Sequence, residues 1–400
     1  MARAGARAVR VGFVPLIDAA PLIAAHELGY FAEEGLAVTL HRQIGWGNVR
    51  DKLTFGQLDA SHALVGMPLA SRVGGPAFRW FTEPLVAVMT LCTGGNAITV
   101  SRRLADQGVN SGATLAQWVR GRRAAVDDRP PRFAHVFNCS THHFLLREWL
   151  SAAGLDPDAD VRLCVVPPAQ MGRQLADGAL DGFCAGEPWN TIAQRTGTGR
   201  IVIPTTDVIP DHPEKVLAVT RGWLDAHTDA AERLVRATVR ACMFCQAAGN
   251  RPALARMLAG PVYLDLPVDA VHESLSQASL AGIGPGARLV RDAGWSARSF
   301  AAGNTRPNPT HVAWLLERMI RAGHADANTD VRRTALDCCD PTAHRAAAGS
   351  LGLTVDGEDF PPMRLRHGQV YRVEPPPPSP SRPGPGQSAT GVELAVTAAG

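Results

Sequence analysis

The sequence predicts an α/β fold of two doubly wound lobes with a ligand cleft between them, and three observations predict it. The order strand–helix–strand–helix–strand occurs over residues 9–65 and again over residues 132–186. Within each run the connections are short, which implies a parallel, doubly wound sheet. The chain has 400 residues, 46% of them hydrophobic and 19% charged, so it can bury a large core across two or three domains. Two similar lobes leave a cleft between them. Ligands of open α/β sheets bind off the carboxyl ends of the strands, where loops and helix N-termini face the cleft.

Each element follows from local pattern. Arg10 to Pro15 is a short apolar strand. Residues 21–31 (PLIAAHELGYF) have helical spacing, with Asp18 ahead of them as an N-cap or first-turn acid and Gly35 closing the unit. Leu36 to Leu40 is a second strand, Asn48 to Phe55 a helix followed by Gly56, and Leu58 to Val65 a third strand. Leu85 to Cys92 is a long apolar run, and Ala97 to Val100 follows across the turn Thr93-Gly94-Gly95-Asn96. The second unit has strands at 124–126, 132–137, 161–166 and 182–186, with helices over 141–153 and 171–180. Lys215 to Thr220 is a further strand, followed by helices over 230–248, 253–258 and 309–322. The segment 376–400, rich in Pro, Ser and Gly, cannot pack a core and reads as disordered. The expected division is lobe 1 over 8–96 and 212–375, with lobe 2 over 97–211.

Composition excludes several functions. The formal net charge is +3 and the basic residues are scattered, which argues against a nucleic-acid or membrane-surface binder. No apolar run approaches the length of a membrane span. Met1 to Ala8 leads straight into the first strand, which leaves no room for a secretory leader, so a cytoplasmic chain is expected. Of the eight cysteines, Cys242 and Cys245 form a lone CxxC inside a helical pattern, and Cys338 and Cys339 are adjacent. Without a second CxxC or paired histidines, no metal site is expected, and buried free thiols are the better reading. No GxSxG, HExxH, P-loop or GxGxxG pattern supports catalysis, and Gly282 to Gly286 lacks the helix-opening pattern of a phosphate loop. No cofactor is expected. Of 40 basic residues, only Lys52 and Lys215 are lysines.

Several blocks carry a resemblance. They are residues 12–22 (GFVPLIDAAPL), 45–53 (GWGNVRDKL), 59–69, Thr141-His142 to Leu150, 165–171 (VVPPAQM), 181–189 and 212–216 (HPEKV). In this order, over about residues 9–360, the chain resembles the nitrate- and bicarbonate-binding proteins of ABC transporters, the NrtA/CmpA family. Its missing leader and many thiols bring it closest to the NasS-type cytosolic nitrate/nitrite sensors. The resemblance implies a type II periplasmic-binding-protein fold with an anion in the interlobe cleft and no catalytic machinery.

Carried over by motif, the implied anion site is Trp46, Gly95, Asn96, His142 and Lys215. Asn96 departs from the family's glutamine, and a shorter amide pulls that contact back or leaves it to water. Lys215 offers a compact point charge, where a guanidinium fork would crowd a small ion; the alternative is a surface lysine at a strand edge. His142 stands at a helix start, where backbone N–H groups favour an anion; a structural histidine is the alternative, and His143 points elsewhere. Trp46, between two glycines, offers an indole donor or simply tucks against its own lobe. Gly94 and Gly95 let a backbone approach a ligand, as a plain hinge turn also would. Glu187 reads as structural, hinge-forming or a partner for a cation, and Lys52 as part of a solvated face.

The expected function is a cytosolic nitrate/nitrite sensor that closes on the anion and controls a regulatory partner, an ANTAR-type antiterminator protein (NasT-like). Two alternatives stay open. One is the solute-binding component of a nitrate or bicarbonate transporter. The other is an enzyme on the same fold, such as a thiamine pyrimidine-precursor synthase, which rests on analogy of architecture.

Overall fold

The computed structural model describes residues 6–74, 78–123, 129–275, 305–354 and 357–374. The expected strand at 124–126, the glycine patch 282–286 and the segment 376–400 lie outside the described residues.

In chain order the first part runs β1 (Arg7–Phe13), α1 (Ala20–Glu27), α2 (Tyr30–Glu33), β2 (Leu36–Arg42), α3 (Trp46–Thr54), β3 (Ala60–Leu64), α4 (Gly66–Val73) and β4 (Leu85–Thr93). The second part holds β5 (Asn96–Ser101), α5 (Arg102–Asp106), α6 (Gly112–Arg123), β6 (Arg132–His135), α7 (Thr141–Ala152), β7 (Arg162–Val165), α8 (Pro168–Ala176), β8 (Gly182–Gly186), α9 (Trp189–Arg195) and β9 (Gly199–Pro204). The chain then continues as β10 (Pro213–Thr220), α10 (Arg221–Ala226), α11 (Thr228–Gln246), α12 (Arg251–Leu258), α13 (Val268–Leu275), α14 (Pro309–Arg321), α15 (Val331–Asp337) and α16 (Thr342–Ser350). A two-stranded ribbon, β11 (Met363–Arg364) and β12 (Val370–Tyr371), closes the described chain.

Two five-stranded sheets result, in the orders β2-β1-β3-β10-β4 and β7-β6-β8-β5-β9. The α/β fold with two lobes is as expected, but the sheets are not wholly parallel. β1 pairs parallel with β2 and β3, and β6 with β7 and β8. β10 runs antiparallel to both β3 and β4, and β5 antiparallel to both β8 and β9. The local strand–helix alternation specifies the three parallel strands of each sheet. The inserted strand enters each sheet by crossing from the other, and local periodicity carries no signal for that.

Helix starts also shift for local reasons. α3 begins at Trp46 rather than Asn48, after an extended Gly45, and buries Trp46, Val49 and Leu53 along one stripe. α8 begins at Pro168, because proline suits the first helical position, where its missing N–H leaves nothing unpaired. Asp18 does not cap α1; it lies inside the 3-10 turn Ile17–Ala19, and no side chain caps the helix.

One core covers the first sheet with Phe13, Leu22, Ile23, Leu217 and Leu234. A second runs from Trp46, Leu64 and Met67 through α14 to Phe133, Leu146 and Phe183, so it spans both lobes. The lobes are in contact. A Cβ on Gly66 would stand 1.8 Å from the carbonyl oxygen of Cys139, and a Cβ on Gly45 3.7 Å from Pro167 Cβ. Ile17 N–H donates to the Glu187 carbonyl at 2.8 Å, and Trp189 Nε1 to the Pro15 carbonyl at 3.0 Å.

Candidate functional site

Lys215 sits on β10 opposite Leu64 of β3 and Cys92 of β4, and none of it is exposed. A buried ammonium is tolerated only when paired and hydrogen-bonded. Its Nζ donates to Asp18 Oδ2 at 2.8 Å and to Glu214 Oε2, and lies 5.6 Å from the centre of the Trp46 ring. Burial disfavours the charged amine, but the two carboxylates outweigh it, and Lys215 stays a cation.

Asp18 is also held from the other side, with His62 Nε2 2.8 Å from its Oδ1. Burial pushes this carboxyl up, and Lys215 and His62 together pull it well below its usual range. Asp18 is therefore ionised. Glu214 differs: burial lifts it to about 7, against the opposing pull of Lys215 and the nearby Asn96 amide. Its Oε1 lies 3.8 Å from His142 Nδ1 and 3.7 Å from His212 Nδ1. Burial drives His142 well below the usual imidazole range, with Lys215 adding to the shift, and takes His212 down to about 3. Both rings are neutral at pH 7. His212 Nε2 is 2.8 Å from the Thr205 hydroxyl.

α7 delivers His142. Ser140 caps the helix by accepting from the His143 N–H at 3.2 Å, which fixes Thr141 and His142 in the first turn. Both ring nitrogens of His142, the Thr141 hydroxyl and Trp46 Nε1 are buried without a hydrogen-bond partner among the described residues. Buried polar atoms nearly always find partners. The orphaned groups of His142 and Trp46 stand beside the Glu214–Lys215 pair.

Trp46, Asn96, His142 and Lys215 thus share one buried neighbourhood where α3, β5, α7 and β10 meet. Gly95 stands at the crossing from β4 to β5, in the left-handed region at φ +90, with its carbonyl accepting from the Glu187 N–H at 3.3 Å. Its neighbour Gly94 donates to the His212 carbonyl at 3.2 Å, which ties the two crossings together. Lys215 is not the isolated positive point that composition suggested; two carboxylates share its charge. Glu187 is buried and accepts from the Thr191 N–H at 3.1 Å, and burial lifts its carboxyl to about 7. His143 does point elsewhere, stacked on His135 at 4.3 Å.

Sequence reasoning missed Asp18, His62, Thr141, His212 and Glu214 as members of this neighbourhood. The available signal was the Glu214-Lys215 pair inside an apolar strand: a lysine buried there needs counter-ions. Among the described residues, no group of three or more His, Cys, Asp or Glu side chains is placed to hold a metal ion, and all eight cysteines are free thiols. No described helix is long and apolar enough to cross a membrane.

The chain is 32% identical over 370 residues to the bicarbonate transport ATP-binding protein CmpC of Synechocystis, covering 92% of this chain and 54% of that protein. It therefore spans about half the length of the first curated relatives it matches. It is 29% identical over 360 residues to the nitrate/nitrite binding protein NrtA of Synechocystis, covering 89% and 79% of the two chains. The crystal structure of the periplasmic nitrate-binding protein NrtA from Synechocystis PCC 6803 superposes with a TM-score of 0.79 at 27% identity, over 91% of this chain and 95% of that one. The alkanesulfonate-binding protein SsuA from Xanthomonas axonopodis, at 15% identity and a TM-score of 0.60, shares the fold. The model of the NMT1-like family matches residues 2–259. With more than half its length matched and a periplasmic-binding-protein fold, the chain belongs to the NMT1-like family.

Proposed function

We propose that this protein binds a small planar oxyanion, nitrate or nitrite, between its closed lobes. The observation that carries the reading is the set of buried, unpartnered groups, Trp46 Nε1, Thr141 Oγ1 and His142, around a buried ammonium. An acceptor-only monoanion takes hydrogen bonds from each donor and charge from Lys215. Nitrate and bicarbonate appear in the names of the relatives above, which supports this class of ligand. The proposed contacts are Trp46, Asn96, His142 and Lys215, with Gly95 at the crossing.

One observation favours a second reading. Glu214 Oε1 is an acceptor without a donor among the described residues. Ionised, it would repel nitrate but would accept the hydroxyl of bicarbonate. A calorimetric titration with nitrate, nitrite, bicarbonate and sulfate decides between them. Saturable heat with nitrate or nitrite supports the first reading, and saturation with bicarbonate alone replaces it by the second. Saturation with none of these ions sinks both.

The role is binding rather than turnover. A sensing role in the cytoplasm, acting on an ANTAR-type regulator, extends the reading and rests on the resemblance of the motif blocks. Lobe closure supplies the two-state element that such signalling requires, biased by the anion's preference for the closed form. Size-exclusion runs of the pair with and without nitrate test it: a complex that forms or dissociates with the anion supports the role, and no complex under either condition removes it.

A further inference from the structure

Arg195 ends α9, and α9 packs on β5, β8 and β9 of the second sheet. Opposite it stands α13, which packs on α12, as α12 does on α1 beside the first sheet. The Arg195 guanidinium bridges the two as a fork. Its Nη2 is 2.6 Å from Asp269 Oδ2, and its Nη1 is 2.6 Å from Glu273 Oε2. One cation carried by the second lobe thus holds two carboxylates carried by the first.

Asp269 and Glu273 are four residues apart on α13, so they are neighbours on one helix face, and like charges at that spacing work against the helix. Arg195 offsets their repulsion, and it reaches them only while the lobes are together. The cation also stands at the C-terminal end of α9, where it suits the helix dipole. The other end of α9 reaches the anion neighbourhood. Just ahead of it, the Glu187 carbonyl accepts from the Ile17 N–H at 2.8 Å, and Trp189 Nε1 donates to the Pro15 carbonyl at 3.0 Å. Gly186 precedes them, where a Cβ would lie 3.3 Å from Asn96 Oδ1 and 3.5 Å from Asp18 Oδ2. A single helix of seven residues therefore joins the fork to the site.

We propose that Arg195 is the latch of the lobes: a positioning residue that grips Asp269 and Glu273 together, holds the closed form around the site and slows the ligand's escape. Arg195 touches no ligand itself. The proposal deepens the anion-binding reading and rests on it only for the last consequence, since the grip joins protein to protein. The guanidinium suits the task because its fork presents a separate N–H to each carboxylate, where a lysine offers one point charge. The three side chains are partly exposed, and exposed pairs are individually worth little, so the latch biases closure by about fivefold rather than locking it.

The test is amide hydrogen exchange of the anion-free protein, read at Ile17, whose N–H donates across the lobes, and at Val11 inside β1 as the reference. Arg195→Ala should speed exchange at Ile17 about fivefold and leave Val11 unchanged. Asp269→Asn with Glu273→Gln should do the same, and adding Arg195→Ala should bring no further change, because all three act as one unit. Arg195→Lys should recover part of the protection. In stopped-flow displacement of nitrate, Arg195→Ala should raise the dissociation rate by about the same fivefold at an unchanged association rate. Unchanged exchange at Ile17 overturns the proposal. So does an equal rise at Ile17 and Val11, which would report a weakened fold, and so does faster exchange with unchanged nitrate release. Faster exchange at Ile17 alone, in a protein that binds no oxyanion, leaves the latch standing and removes only the ligand reading.

Discussion

Lys215 Nζ and Asp18 Oδ2 stand 2.8 Å apart, the ammonium fully buried and the carboxylate nearly so. Removing either partner leaves a buried charge, and such losses destabilise by about 3–5 kcal/mol. Lys215→Met should therefore lower unfolding free energy by about that amount in denaturant titrations and abolish oxyanion binding by calorimetry. Adding Asp18→Asn should recover much of the stability and none of the binding. Recovery of both would show that Lys215 serves the fold alone.

Trp46→Phe keeps an aromatic ring, deletes the indole donor and leaves a small cavity in the core, so thermal stability should fall modestly. Affinity should fall about tenfold, the loss of one hydrogen bond to a charged partner. His142→Ala should lower affinity similarly. An unchanged dissociation constant in both variants would place the ligand elsewhere.

Glu214 sets the pH dependence. Its folded pKa of about 7 lies above the ordinary value of 4.5, so the folded state holds an extra proton between them. This contribution is full below 4.5 and is lost as pH rises through about 7. Buried histidines act oppositely: His143 and His311, near 4, contribute stability above 6.5 that is lost as pH falls toward 4. Nitrate affinity should rise as pH falls through about 7, and Glu214→Gln should flatten that profile. A calorimetric series across this range reads both, and a flat wild-type profile would rule Glu214 out as the titrating group.

Gly66 opens α4 where that helix meets the turn at Cys139. A methyl group there would lie 1.8 Å from a backbone carbonyl, which cannot move as a flexible side chain does. Gly66→Ala should destabilise by about 1–3 kcal/mol, the usual effect of overpacking. Because the contact joins the lobes, affinity should fall along with melting temperature. Wild-type values of both would mean that the two lobes do not meet there in solution.

The sequence carried the repeated strand–helix order, and the three parallel strands of each sheet follow from it. It also carried most strand positions, such as Gly182–Gly186, because an apolar run bounded by turns is a local signal. The antiparallel β10 was found as a strand and β5 only as a short segment after an apolar run, and neither in its orientation. Direction is decided by which sheet receives the strand after a crossing, and no local pattern encodes that.

The same division holds at the site. Sequence by itself brought out Trp46, Asn96, His142 and Lys215, through motif blocks and the rarity of lysine. It also placed Asp18 beside α1, but as a cap. Only tertiary structure turned Asp18 toward Lys215 and set His62 behind it, because a burial cost shared among charges is a property of three-dimensional neighbours. For the same reason only the fold decided that Lys215 is held between two acids, and that Glu214 has an affinity for protons near neutrality. The residues were legible in the chain; their charge states depend on desolvation and distance, which exist only once the strands are assembled.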